Sequence, residues 1–388
     1  MEYGEALLGR ARDLAPVLAD RARNAEDARR LPDETVADLA GAGLLDVLVP
    51  RSLGGAGLGL DALVGACREI GRGCTSTGWV TAVYALHNWM LALFPEQARR
   101  EVFADRPYTF APCTLAPTGT AEPVDGGHRV TGRWSWGSGA PHAEWVMVDA
   151  IVAAGETVEP RIFLIPREDV TVHDVWHTSG MRGTGSNDLE VTNRFVPAHR
   201  SVPLRDFVKG TTPGADDHAE PAARWPMVPV LVLAGAAPVL GAAEGTLARF
   251  RDRLQERVIA YTGARQRDLM SGQMRLAKST ADLAAARLLL DDAVARLDGT
   301  YASGGRFGLP DRAWVRLTGG HVVGTARTAV NELCAAGGAS IQFLDSPLQR
   351  AQRDINTISG HVVFDLDATY GLFGKVDLGV DPDPTTLV

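Results

Sequence analysis

Lysine is almost missing from this chain: of its 39 basic side chains only Lys209, Lys278 and Lys375 are lysines, an arginine bias that points to genomic base composition rather than to mechanism. Positive charge is in deficit overall as well. The net charge of -8 leaves no basic footprint for nucleic acid or an anionic membrane, so neither is an expected partner. Cysteine is scarce. Cys67, Cys74, Cys113 and Cys334 form no CxxC pair and no clustered spacing, which excludes a disulfide framework and a zinc site and fits a reducing cytoplasm. The first residues carry acids and lack an apolar h-region, so no secretory signal is expected. One uncharged run, Trp225 to Ala243, approaches membrane-spanning length, but Pro226, Pro229 and Pro238 interrupt it and no second span follows. A buried helix entered through a proline-rich turn is the expectation there. No P-loop and no GxSxG elbow occur.

What is present is enough for two or three packed domains in 388 residues, with 45% hydrophobic and 22% charged content placing the chain among ordinary soluble globular proteins. Residues 1–108 have helical texture, broken at Leu31-Pro32 and across Val49 to Gly55. Residues 109–208 turn to β texture: His128 to Trp136 alternates, Glu144 to Val152 and Arg161 to Ile165 are apolar runs, and Asp188 to Val196 alternates again. No helical crossover separates these strands, so a small, mostly antiparallel barrel or sandwich is expected. Residues 209–388 begin with a polar stretch at 210–223 that has the composition of a linker. Helical periodicity then returns, with Leu283, Ala286, Leu290, Ala293 and Leu297 in the three-four alternation of a bundle helix. Residues 381–388 have the composition of a loose tail. The whole is an α+β multidomain chain in the order α, β, α.

Two motifs are set aside. Gly57-Leu-Gly59-Leu-Asp-Ala62 matches a relaxed dinucleotide fingerprint, but no acid lies between Glu69 and Glu96 to bind a ribose, and the context is a turn between helices. A redox enzyme without a nicotinamide site must obtain electrons elsewhere. His173 and His177 have i, i+4 spacing but no intervening Glu and lie in β texture, so no metal is expected.

Three stretches carry a resemblance. Gly126-Gly-His-Arg-Val-Thr-Gly-Arg-Trp-Ser-Trp-Gly-Ser-Gly139, followed by His142-Ala-Glu-Trp145, resembles the flavin-contacting strand of acyl-CoA dehydrogenases and, more closely, of their flavin-dependent monooxygenase relatives. Trp176 to Asp188 with Phe195-Val-Pro197 is similar to the end of that family's β-domain, and Arg350 to His361 to its oxygenase signature on a late helix. The resemblance implies an N-terminal α-helical domain, a middle β-barrel or sandwich and a C-terminal four-helix bundle, assembled as a homotetramer. It implies the oxygenase component of a two-component system, taking reduced FMN or FAD from a separate flavin reductase and reacting it with O2 through a C4a-hydroperoxide. The implied reaction is hydroxylation of a small, phenolic or aromatic substrate, with N-oxygenation of an amine or amino sugar, or α,β-dehydrogenation of a thioester, as alternatives.

Site residues follow on both grounds. In a regular strand Trp134, Trp136 and Ser138 share a face, presenting an aromatic wall and a hydroxyl together, unless the tryptophans merely fill the β core. By resemblance Trp136 lies against the isoalloxazine, Ser138 near its N5, and Thr114 among the cofactor contacts. His361, placed on a helix with Thr357 and Asp365 one turn either side, is expected to have its ring oriented by the carboxylate and to act as acid or base near the flavin; a satisfied buried histidine is the alternative. His87 lies on an apolar helix with Tyr84 and Trp89, which by resemblance lines the substrate pocket; alone it reads equally as a core histidine. Backbone N–H groups at Gly337-Gly338-Ala339-Ser340 are expected to hold phosphate, with Gly338 and Ser340 in contact and Arg265 of a neighbouring subunit as clamp. Finally, no Glu follows Glu332, so the usual dehydrogenase base is missing, although Asp354 is nearby.

Overall fold

In the computed structural model of the chain, which describes residues 2–154, 157–259, 263–383, 386 and 388, helix α4 (Thr75–Leu91) is buried along its entire length. It is apolar on every side because it has neighbours on every side. Helices α1 (Glu2–Ala28), α2 (Asp33–Gly41), α3 (Leu60–Gly73) and α5 (Glu96–Val102) accompany it in the N-terminal region, α3 packing against both α1 and α4. The sheet follows, and then α6 (Leu204–Lys209), α7 (Met227–Glu256), α8 (Met270–Ala302), α9 (Leu309–Ala336), α10 (Pro347–Ile358) and α11 (Leu366–Asp377).

The proline-interrupted run forms α7, a helix of the length and apolarity that could cross a membrane, yet 89% of its most apolar window is buried against other parts of the chain. Pro238 sits inside it and costs it a hydrogen bond to the preceding turn. That proline is also a point of close helix approach: a Cβ on Gly71 would fall 2.3 Å from Pro238 O, and one on Gly78 2.8 Å from Pro238 Cβ. Glycine at both positions lets α3 and α4 lie directly on α7. On α8, Leu283, Ala286, Leu290, Ala293 and Leu297 are all buried, facing α7 and α9.

Strands β1 (Cys113–Val124), β2 (Gly127–Gly137), β3 (Trp145–Ala154), β4 (Thr157–Pro166), β5 (Thr171–His173), β6 (Asn187–Pro197) and β7 (Ser201–Pro203) form one seven-stranded sheet in the order β5-β6-β2-β1-β3-β4-β7. Pairing is antiparallel except between β1 and β3, which run parallel because the link from β2 carries the chain back across the end of β1 before β3 begins. One face joins the core of the helical regions through Met147, Ile162, Leu164 and Val202. The other encloses a core of its own, built from Val130, Trp134, Val146, Val148, Phe163, Leu189 and Val191.

Two expectations need correction. Residues 210–223 are not a loose linker: Thr212, Ala215, His218, Ala222 and Ala223 are buried, and His218 bonds Ala92 O at 2.9 Å and Ser52 Oγ at 3.0 Å. His218, one of the polar side chains suggesting solvent, is hydrogen-bonded inside, while Asp216 stays exposed. In the 381–388 tail, residues 384, 385 and 387 lie outside the described residues, and Val388 is buried beside Ala313 and Leu372, its carbonyl accepting from Arg312 at 2.9 Å.

Candidate functional site

The site begins with Trp79 on α4. Its indole Nε1 donates to Ser138 Oγ at 3.1 Å, and its ring lies 5.4 Å from the His361 ring and 6.4 Å from Phe364. One side chain thus joins two residues 223 positions apart that sequence reading selected separately. Trp79 itself escaped notice. It stands in a helix buried all round, so no hydrophobic stripe singles it out, and its partners are distant in the chain.

Strand β2 does not present Trp134, Trp136 and Ser138 on one face. The register with β6 slips between Trp134 and Gly137, and Trp136 adopts φ +69°, a left-handed conformation costly for a residue with a Cβ. Trp134 therefore points down into the sheet core, fully buried, with Nε1 donating to Asp149 O at 2.8 Å. Trp136 is 65% exposed. Ser138, just beyond the strand, turns its hydroxyl to the helices, where it meets Trp79 and, at 2.8 Å, Ser186 Oγ.

His361 is not in a helix interior. α10 stops at Ile358, Ser359-Gly360 ends it, and His361 opens a short 3-10 turn at Val362–Phe364. Asp365, expected to orient the ring, instead caps α11 by accepting from Ala368 N at 2.9 Å. His361 Nδ1 accepts from Val363 N at 3.4 Å, which leaves the proton of the neutral ring on Nε2. The ring keeps an open edge to solvent, yet protein packed around it, and secondarily the Arg316 guanidinium, depress its pKa below the ordinary imidazole value.

On the next turns of α4, Tyr84 is fully buried and donates to Gly139 O at 2.8 Å, beside Ser138. His87 is buried, with Nδ1 2.6 Å from Ala111 O. A carbonyl only accepts, so Nδ1 carries the proton, and burial lowers the pKa of the ring to about 4. The neutral ring offers Nε2 as a bare acceptor. Trp89 points elsewhere: it is buried against Trp225 and donates to Ala222 O at 2.9 Å, so it belongs to the packing of residues 222–225 and not to this group.

A second group gathers at the α9–α10 junction. Gly338 has φ +74°, and the turn's carbonyl at Gly337 accepts from Arg253 Nη2 at 2.9 Å and Arg257 Nη1 at 2.5 Å; Arg253 also holds the Ser340 hydroxyl. Neither arginine has a carboxylate partner among the described residues, and burial followed by repulsion from Arg257 lowers the Arg253 pKa. Sequence reading missed both, although their i, i+4 spacing at the end of α7 was a usable signal. Arg265 lies exposed, while its neighbour Gln266 donates to Ala336 O at 3.1 Å, next to this turn. Thr114 is buried in β1 with its hydroxyl unpartnered.

A flavin needs an aromatic surface for its ring, a polar atom at the reactive edge and cations for its phosphate. Trp136 is a large aromatic left in solvent at a strained φ, Ser138 is half-buried and hydrogen-bonded beside it in sequence, and Arg253 and Arg257 are cations without a carboxylate partner among the described residues. The residues present fit such a group. Helices flanking a seven-stranded sheet, joined to it at Trp79 and Ser138, with these side chains available, match a flavoenzyme of acyl-CoA dehydrogenase architecture.

Comparison with known proteins agrees and goes further. The acyl-CoA dehydrogenase N-terminal domain model matches residues 4–106 and the acyl-CoA dehydrogenase C-terminal domain model residues 233–366. A pigment production hydroxylase of Rhodococcus sp. is 38% identical over 96% of both chains. The flavin-dependent monooxygenase oxygenase subunit HsaA of Mycobacterium tuberculosis is 33% identical over 98% of this chain and 97% of its own. The oxygenase component of the FADH2-dependent resorcinol hydroxylase of a Rhizobium sp. is 34% identical over 97% of this chain and 95% of its own. The crystal structure of 3-HSA hydroxylase from Rhodococcus sp. RHA1 superposes with a TM-score of 0.94 at 32% identity, covering 99% of each chain. The chain belongs to the flavin-dependent monooxygenases of the acyl-CoA dehydrogenase fold, as an oxygenase component.

Proposed function

We propose that this oxygenase hydroxylates a small phenol, and the observation that carries the reading is the state of His87. With Nδ1 locked as donor to Ala111 O and the ring held neutral, Nε2 is an acceptor at working pH, suited to taking a phenol hydroxyl hydrogen. That hydrogen bond polarises the O–H and raises electron density on the aromatic carbons to be oxygenated. Reduced flavin, when bound, supplies the activated oxygen from O2. Trp136 serves as the wall for the flavin ring, Ser138 as the polar contact at its N5 edge, and Thr114 as a further contact from β1. Gly338 and Ser340, with Arg253 and Arg257, hold its phosphate, and Arg265 of a neighbouring subunit completes the clamp. His361, whose ring lies 5.4 Å from that of Trp79, serves as acid or base toward the reacting oxygen. Tyr84 and His87 line the substrate side, without Trp89.

The usual base for dehydrogenation of a thioester, a late-segment Glu, is missing after Glu332. The nearest carboxylate to the late-helix position, Asp354, is buried and accepts from Met181 N at 2.6 Å, so it holds a loop rather than facing a substrate. Exposed Met270, Met274 and Leu288 along α8 support assembly into a homotetramer through that helix. A separate flavin reductase delivers the reduced cofactor by diffusion, and the four free cysteines accord with a cytoplasmic setting.

The test is to mix the protein with anaerobically reduced FMN or FAD, add O2 and a panel of monophenols, and quantify catechol-type product against hydrogen peroxide. Product formed in proportion to flavin oxidised supports the reading. Anaerobic bleaching of tightly held oxidised FAD by an acyl thioester, without oxygen transfer to any phenol, overturns it.

A further inference from the structure

The Ser138 hydroxyl ends a chain of hydrogen bonds whose direction can be read from its two ends. At the far end, Asp354 on α10 accepts from Met181 N, and Met181 O accepts from Thr184 Oγ1 at 2.8 Å, Trp176 Nε1 at 2.9 Å and Thr184 N at 3.1 Å. A carbonyl has no proton to give, so the Thr184 hydroxyl spends its only hydrogen on it. Thr184 Oγ1 lies 2.6 Å from Ser186 Oγ and must therefore accept there, so Ser186 donates. Ser186 in turn accepts at the 2.8 Å contact with Ser138, and Ser138 donates. At the near end the Trp79 indole, a donor only, occupies one Ser138 lone pair. Thr184 and Ser186 are 2% and 4% exposed, so water has little access to reverse the order.

We propose that Trp79, Ser186 and Thr184 are positioning residues that aim the Ser138 proton away from the flavin, leaving Ser138 as a pure acceptor that selects reduced over oxidised cofactor. The inference rests on the placement of Ser138 at the N5 edge proposed above. Reduced flavin carries a hydrogen on N5 and can donate to the remaining lone pair. Oxidised flavin presents a lone pair at N5, which then meets another lone pair. An oxygenase that borrows its cofactor gains from this asymmetry, since it captures the reduced form and releases the spent one.

The test measures dissociation constants of the full-length protein for FMN and FAD in both redox states, by calorimetry in air for the oxidised forms and anaerobically with chemically reduced flavin. The readout is the ratio of oxidised to reduced constants, independent of turnover. Ser186→Ala frees the Ser138 proton to rotate toward N5 and should lower the ratio about tenfold, the equivalent of exchanging a repulsive contact for one hydrogen bond. Thr184→Val, nearly isosteric, releases the relay one link earlier and should move the ratio in the same direction, while Thr184→Ser should restore it. This pair decides the matter if Ser186→Ala fails to fold. In a Ser138→Ala background none of these changes should alter the ratio. If Ser138→Ala shifts the ratio but Ser186→Ala and Thr184→Val leave it at the wild-type value, the relay is wrong and the placement of Ser138 survives. If no variant, Ser138→Ala included, moves the ratio, the placement itself is wrong and the relay falls with it.

Discussion

Asp149 offers the sharpest quantitative test of the fold around the site. It lies in β3, next to the strand that carries Cys113 and Thr114, with 0% exposure and neither carboxylate oxygen hydrogen-bonded. Burial without a partner penalises the charged form and raises its pKa from 3.8 to about 7. In the unfolded chain the same group ionises near its ordinary value. Below that value both states are protonated and Asp149 costs the fold nothing through ionisation. Between about 4 and about 7 the unfolded state releases a proton that the folded state keeps, so stability falls steadily as pH rises. Above about 7 the loss is complete, at most roughly 4 kcal/mol. Asp149→Asn removes this ionisation while preserving shape. With an unfolding entropy of about 2 cal/mol/K per residue, a chain of this size gains roughly 1 °C in Tm per kcal/mol, so the variant should melt up to about 5 °C above wild type at pH 8. At pH 4.5 the difference should shrink to within about 1 °C. The assay is paired melting of the two proteins across that range at one concentration. A difference that is constant with pH, or a variant less stable than wild type at pH 8, would show that the carboxylate has a native partner and refute the reasoning.

Further outcomes follow from the site. His87→Ala should lower phenol hydroxylation by about tenfold, the worth of one hydrogen bond to the substrate, while flavin affinity stays within about twofold; steady-state product analysis alongside flavin titration separates the two. Arg253→Ala and Arg257→Ala should each weaken reduced-flavin binding roughly tenfold, and the loss should diminish at high salt, since what is removed is a charge-assisted contact to phosphate. Binding unchanged in both variants would assign the pair to holding the Gly337 turn alone. Trp134→Phe, by contrast, should act on stability and not on flavin binding, because its indole is spent on Asp149 O inside the sheet; a melting curve and a flavin titration check it together.

The parts of this architecture that could be read from the sequence are those written as a local period. The stripe on α8 and the uncharged run that became α7 were visible because burial on one side, or on all sides, leaves a mark in consecutive residues. The parts that could not be read are those where one residue breaks the period. Trp134 and Trp136 are two apart, and a regular strand would align them, but the slip in register before Gly137 sends one into the core and the other to solvent. His361 followed a helical pattern through Ile358, and the Ser359-Gly360 break moved it into a turn, out of reach of the orienting role assigned to Asp365. In both places the expected geometry failed, because strand and helix endings are decided by packing against distant chain.

That distinction reaches the chemistry. Ser138 and His361 were recognisable as separate motifs, but nothing in either motif says that Trp79 stands between them or that Thr184 and Ser186 consume the Ser138 proton. These links join α4, the end of β2, the loop before β6 and the turn after α10, four segments whose proximity exists only once α4 is enclosed. A hydroxyl in water points wherever thermal motion takes it. Buried between an indole that can only donate and a hydroxyl series anchored on a carbonyl that can only accept, it has one orientation left, and the burial that made α4 featureless in sequence is what gives the serine beside it a direction.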